Sequence, residues 1–386
     1  MKRWLVAMAT LMIGSQAQAR FRRVETQDVP LARLLDNAEK KLGSDGLRDP
    51  AAALLKHPEL LDDVALLARL HALGWALNKQ EPSINKETQA LWFGYLPSIV
   101  PWGRRADPEP RTDAVKAHLD EAIRLYRVAR VGHQDRIDLA LGLAWCLAQQ
   151  PDAAARKEAK AMLRQLGDDA WVEEGKRESW GMGQYGVASE AAAYLVPLLD
   201  KDKDAAEIAK LEARQRKVAD MPRPITPIVV PLGDDTTLAG NIDADAAVRF
   251  DLDGSGRARA WGWVRPSAAW LVWDRDHDGQ VTSGLDLFGS VTFWMFWRDG
   301  YAALAALDDD GDGLVSGDEL AGLALWQDDG DGVAEPGEVV PVGDVGIVAL
   351  RTDAALMADG VPWVDDGVVF ADGTMRPTWD WISQGR

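Results

Sequence analysis

Between Asp308 and Leu320 the chain reads DDDGDGLVSGDEL, with aspartates crowded at its start and a glutamate near its end. Carboxylates set this close repel one another unless a cation occupies the space between them. A twelve-residue calcium loop asks for oxygen ligands at places 1, 3, 5, 7, 9 and 12. It also asks for glycine at 6, where the chain bends sharply, and an aliphatic residue at 8 that packs inward. Asp308, Asp310 and Asp312 fill places 1, 3 and 5, and Gly313 stands at 6. Leu314 offers its carbonyl at 7, Val315 packs at 8, Ser316 serves at 9 directly or through water, and Glu319 closes the loop at 12.

Three further stretches follow the same EF-hand-type logic less completely. In DRDHDGQVTSGLD, Asp274, Asp276 and Asp278 take the first three ligand places, Gly279 the bend, Gln280 the carbonyl place and Thr282 the ninth. Place 12 is Leu285, so Asp286 closes the loop one residue late, and His277 at place 4 points outward and is not a ligand. In QDDGDGVAEPGE, counting back from Glu338 puts Asp331 at 5, Asp329 at 3 and Gln327, a neutral oxygen donor, at 1. Asp328 takes that first place if the loop is one residue shorter. In DLDGSGRAR, Asp251, Asp253 and Ser255 match the front of a loop, but no acid closes it.

The elements that carry these loops differ from the rest of the chain. The 386 residues have a net charge of −18, very unevenly distributed. Residues 225–386 hold 26 Asp, 3 Glu, 9 Arg and no Lys, while the preceding residues are nearly neutral. Such asymmetry predicts two domains with different chemistry and excludes nucleic acid as a partner of the acidic part. Residues 28–217 carry apolar residues at helical spacing, for example in DVALLARLHALGWALNK and RIDLALGLAWCLAQQ. A Pro-rich linker over 218–235 follows. Residues 236–386 alternate short β-favouring runs with Asp/Gly loops, and helices are expected at Gly300–Leu307 and Asp318–Trp326. Ten of the 17 tryptophans lie in this half, and core filling is their expected role. Lys2 and Arg3, the apolar run Trp4–Ile13 and Ala17-Gln18-Ala19 form a secretory signal over residues 1–19, with cleavage after Ala19. No later segment is apolar and long enough to span a bilayer. The expected location is therefore periplasmic or secreted. Cys146 is the only cysteine, which rules out an intramolecular disulfide and makes bound metal a natural staple.

Two resemblances add to this reading. The stretch Glu121–Leu166, with Ala122, Tyr126, Leu141, Gly142, Ala144, Ala159 and Ala161, resembles tetratricopeptide repeats. The pieces FDLDGSG, LVWDRDHDGQVTSGLDLFG, YAALAALDDDGDGLVSGDEL, LALWQDDGDGVAEPGEV and VGIVAL resemble a calcium-binding module found near repeats-in-toxin exoproteins of bacteria. That resemblance implies calcium-dependent folding after export. Some relatives of the module cut themselves at an Asp-Pro bond; here Asp49-Pro50 and Asp107-Pro108 lie far upstream of the acidic part, so the chain departs from them.

The expected fold class is thus multidomain: an all-α helical-repeat (tetratricopeptide-like) N-terminal domain and an α+β calcium-binding C-terminal domain. No catalytic set has workable spacing; the five histidines form no paired-ligand pattern, and SWGMGQYG follows no strand. The expected function is non-enzymatic calcium binding, with the helical domain engaging another protein or a cell-surface component. A calcium-dependent self-processing protein, or a hydrolase with an unrecognised active site, is the alternative.

Overall fold

In the computed structural model the described residues are 30–77, 111–178, 186–219, 224–254, 258–295, 297–357 and 360–384. The expected signal segment, Ser255 and nearly all of the aromatic stretch 80–112 lie outside them. No helix among the described residues is long and apolar enough to cross a membrane.

The first region is helical. Its elements are α1 (Leu31–Arg48), α2 (Pro50–Lys56), α3 (Leu61–Leu77), α4 (Asp113–Ala129), α5 (Ile137–Gln149), α6 (Ala153–Glu174), α7 (Val187–Leu195) and α8 (Ala205–Ala219). Caps set several starts: Thr112 accepts from Val115 N at the head of α4, and Asp152 accepts from Ala155 N at the head of α6. From α3 onward each helix packs on the next in sequence. Their lengths, 17, 17, 13, 22, 9 and 15 residues, follow no regular pairwise pattern. Gly142 lets α5 lie directly against α4, since a Cβ there would sit 2.3 Å from Cζ of Tyr126. Cys146 is fully buried, and burial pushes its thiol pKa up, which fits a core residue and not a reactive one.

The second region is built on a curled antiparallel sheet. Its main path runs β6 (Leu314–Ser316), β9 (Ile347–Arg351), β11 (Pro362–Phe370), β12 (Met375–Asp380), β2 (Ile228–Pro231), β5 (Ala268–Trp273), β7 (Leu323–Trp326) and β8 (Val339–Pro341), with β10 (Ala355–Leu356) pairing β11. Two smaller pairings join β3 (Ile242–Phe250) to β4 (Arg259–Val264) and β1 (Pro224–Ile225) to β13 (Ser383–Gln384).

The central strands β2, β5 and β7 are buried on both faces. Alternation sends Ile228, Val230, Ala269, Leu271, Leu323 and Leu325 to one side. Val229, Trp270, Val272, Ala324 and Trp326 go to the other. There they meet Trp261 and Trp263 of β4 and Trp379 and Trp381; Trp263 stands edge-on to Trp326 at 5.7 Å between ring centres. Trp261, Trp263, Trp270, Trp297, Trp326, Trp379 and Trp381 fill the core, as composition suggested. The first face continues into the helical region: Leu31 and Leu34 of α1, Leu67 and Leu70 of α3, Leu304, Leu307, Val315 and Leu350 form one cluster.

One expected element is corrected. The helix predicted over Asp318–Trp326 is a short 3₁₀ turn, Gly317–Leu320, followed by strand β7. Gly322, at φ +87°, breaks the helical path, and Leu323–Trp326 are buried on both faces between β5 and β8. Continuous burial produced an apolar spacing that mimicked a helix. The helix at Gly300 is present as α-helix to Leu304 and 3₁₀ to Leu307.

Candidate metal centre

Three groups of carboxylates converge so that one oxygen from each member lies within 4.8 Å of the others. They are Asp308, Asp310 and Glu319; Asp274, Asp276 and Asp278; and Asp328, Asp329 and Glu338. Each could hold a metal ion.

The first group spans β6: Asp308 and Asp310 follow the 3₁₀ turn ending at Leu307, and Glu319 lies in the 3₁₀ turn after the strand. Asp308 is buried and accepts from Gly311 N at 2.7 Å through Oδ1 and from Gly313 N at 3.0 Å through Oδ2. Wrapping the backbone around one carboxylate needs left-handed residues, and Gly311 and Gly313 supply φ of +76° and +86°. The loop closes through Glu319, which accepts from Asp309 N at 2.6 Å and from Ser316 N at 2.8 Å. Ser316 and Glu319 form a reciprocal cap of the 3₁₀ turn. Val315 is fully buried and pairs with Leu350 of β9, anchoring the loop to the sheet. Leu314 opens β6, and Asp312 is exposed, accepting from Leu314 N, outside the converging group.

The second loop leaves the end of β5. Buried Asp274 accepts from Gly279 N at 3.2 Å, matching the bond from Asp308 to Gly313. Exposed Asp276 and Asp278 complete the group, and Asp278 accepts from the N–H of exposed Gln280. His277 is exposed, and at φ +51° it takes the left-handed place that Gly311 occupies in the first loop. Asp286 lies outside the group: its Oδ2 accepts from Thr282 N at 2.7 Å, Thr282 Oγ1 at 3.1 Å and Ser283 N at 3.2 Å, and it caps a 3₁₀ turn with Ser283.

The third loop leaves β7, and Asp328 heads it. Its carboxylate is fully buried and accepts from Gly330 N, Gly332 N and Trp263 Nε1. Burial raises its pKa; these donors and the nearby Glu338 act in opposite directions on that shift. Gln327 faces elsewhere, donating from Nε2 to the Pro266 carbonyl at 2.6 Å. Glu338 accepts from Asp329 N at 3.2 Å and Glu335 N at 3.1 Å, repeating the closure by Glu319. Asp331 is exposed and accepts from Val333 N, outside the group.

The loops share a closing unit and differ in length. In each, the closing acid stands three residues after a residue whose N–H it accepts: Ser283 and Asp286, Ser316 and Glu319, Glu335 and Glu338. The second loop gains one residue before this unit, and the third loses one between its leading aspartate and its glycine bend. That frame could have been found in the sequence by aligning the closing triplets. The fourth stretch is different: buried Asp253 lies 3.7 Å from the guanidinium of Arg259, and neither it nor Asp251 joins a converging group.

Residues 228–369, from β2 nearly to the end of β11 and including all three loops, match the family described as the SPM domain. Over 79 residues, 20% of this chain, the sequence is 37% identical to the iron-regulated protein FrpA of Neisseria meningitidis serogroup C. That match spans 7% of the relative's length.

Proposed function

We propose that this chain is an exported, non-enzymatic calcium-binding protein whose acidic loops hold calcium to stabilise the sheet region, while the tetratricopeptide-like helical region engages another protein. The observation that carries the reading is the repeated loop: a leading buried aspartate wrapped by backbone N–H groups, exposed aspartates beside it, and an acid closing the turn. All donors are oxygens, which suits hard cations. Flexible loops rich in carboxylates favour calcium over magnesium, which demands strict octahedral geometry and keeps its water. In the first loop Asp308, Asp310 and Glu319 would bind through carboxylates, with the Leu314 carbonyl and Ser316 completing the shell and Asp312 joining only on turning away from Leu314 N.

The test is a calcium titration of the full chain followed by near-UV circular dichroism and thermal unfolding. Bound calcium stabilises the folded state by RT ln(1 + [Ca²⁺]/Kd), about 2.7 kcal/mol at a hundredfold excess over Kd. The expected result is a calcium-dependent rise in Tm that shrinks in Asp308→Ala with Glu319→Ala. A Tm that ignores millimolar calcium would overturn the proposal.

A further inference from the structure

Asp309, at the second place of the first loop, lies outside the converging group and faces the helical region. Arg33 Nε donates to its Oδ1 at 2.6 Å, and Asn37 Nδ2 to the same oxygen at 2.7 Å. Lys40 Nζ donates to its backbone carbonyl at 3.1 Å. The same helix face reaches the backbone on both sides of the loop: Arg33 Nη2 donates to the Leu307 carbonyl at 2.5 Å and to the Glu319 carbonyl at 3.3 Å, and Asn37 to the Ala306 carbonyl at 3.0 Å. Arg33, Asn37 and Lys40 are four and three residues apart, so one stripe of α1 carries all three. Asn37 is buried there, beside Leu34, Leu304 and Leu307 of the shared core.

We propose that Arg33 and Asn37 are positioning residues for the first loop, and that its cation and the docking of α1 stabilise each other. This rests on the calcium reading above. Arg33 ties the residue before the loop to its closing residue, two points that must stay close for Asp308 and Glu319 to face one ion. A loop held in that geometry loses less freedom on binding. Coupling is reciprocal, so calcium in the loop must hold α1 against the sheet as strongly as α1 favours calcium. Removing Arg33 alone would leave Asp309 with an uncompensated charge that attracts calcium by itself, so the informative variants are charge-neutral.

The experiment is calcium calorimetry on the full chain. It compares wild type, Asn37→Ala, and Arg33→Gln combined with Asp309→Asn, with Glu319→Gln identifying the first loop's binding step. Both charge-neutral variants should weaken that step by roughly tenfold, in the usual range for coupled sites, and leave the other steps unchanged. In wild type, amide exchange across residues 31–48 should slow when calcium is added, and in Glu319→Gln this slowing should disappear. Unchanged affinity in both variants, or exchange in α1 that ignores calcium bound at the first loop, overturns the coupling while leaving the calcium reading intact. A wild-type chain that takes up no millimolar calcium overturns both.

Discussion

Asp308, Asp274 and Asp328 each sit at the start of a turn and accept backbone N–H groups from the glycines that follow. These carboxylates shape the loops through the chain's own N–H groups. Asp308→Ala should therefore cost about 1–3 kcal/mol even with calcium chelated, because the N–H groups of Gly311 and Gly313 lose their acceptor; urea denaturation in chelator checks this. The left-handed place gives a second prediction. Gly311→Ala, with no neighbour within 4 Å of the added Cβ, tests backbone conformation alone and should cost about 1–2 kcal/mol. His277→Gly, at the matching place of the second loop, should change stability by under about 1 kcal/mol, since relief of strain and added chain entropy oppose each other. The Asp/Gly spacing pointed to the acids that converge in the first loop, Asp308, Asp310 and Glu319, while Asp312, also expected there, lies outside the group. In the third loop the twelve-residue count from Glu338 lands on Gln327, which faces elsewhere; the shorter count names Asp328, which joins the group with Asp329 and Glu338, while Asp331 stays outside it.

At the scale of elements, the closing unit and the helix contacts decide how much was readable. Helices α3 to α6 follow their apolar spacing; the stretches quoted from Asp63 and from Arg136 coincide with α3 and α5 to within two residues at their starts, while α6 runs on to Glu174, well past the apolar stretch that ends at Leu166. Strand β7 was not readable, because a strand buried on both faces has no alternation to distinguish it from a core helix. Gly322 was the available signal. The close approach of α5 to α4 is testable by Gly142→Ala, which forces Tyr126 to move and should destabilise by about 1–3 kcal/mol in thermal unfolding. The junction of α6 and α7 predicts a pH effect. Burial, helped by the nearby Glu190, pushes the Glu174 pKa up to about 7 against the opposing pull of Ala188 N and Arg177. A folded pKa above the unfolded one, about 4.3, means the folded state holds the proton more tightly. Stability from this group is full below the unfolded value and is lost as pH rises to 7. Glu174→Gln should flatten that stretch of the stability profile and leave the variant more stable than wild type at pH 8.

For the whole molecule, charge and connectivity matter most. Residues 225–386 carry 29 acids against nine arginines, so with calcium chelated the sheet region repels itself. Raising sodium chloride from about 0.01 to 0.15 M shortens the screening length from about 30 to 8 Å and should raise Tm in chelator. If the loops need a cation in them, salt should leave the near-UV spectrum short of its calcium-bound form. The charge split was plain in the sequence, but the docking of α1 on the first loop was not. Arg33 and Asp309 are 276 residues apart, and nothing in either segment names the other. The strand order carries a further consequence. β2 sits in the middle of the sheet between β12 and β5, yet Trp379, which it meets, comes 150 residues later than Val229. During synthesis the helices α3 to α8 close on their sequence neighbours as they leave the ribosome, and β2 finds β5 once residue 273 is made, but its other edge must wait for β12. A nascent chain halted just short of Met375 therefore carries a condensed helical head and a sheet in two parts, β2, β5, β7 and β8 on one side and β6, β9 and β11 on the other, so β12 is the latch that joins them.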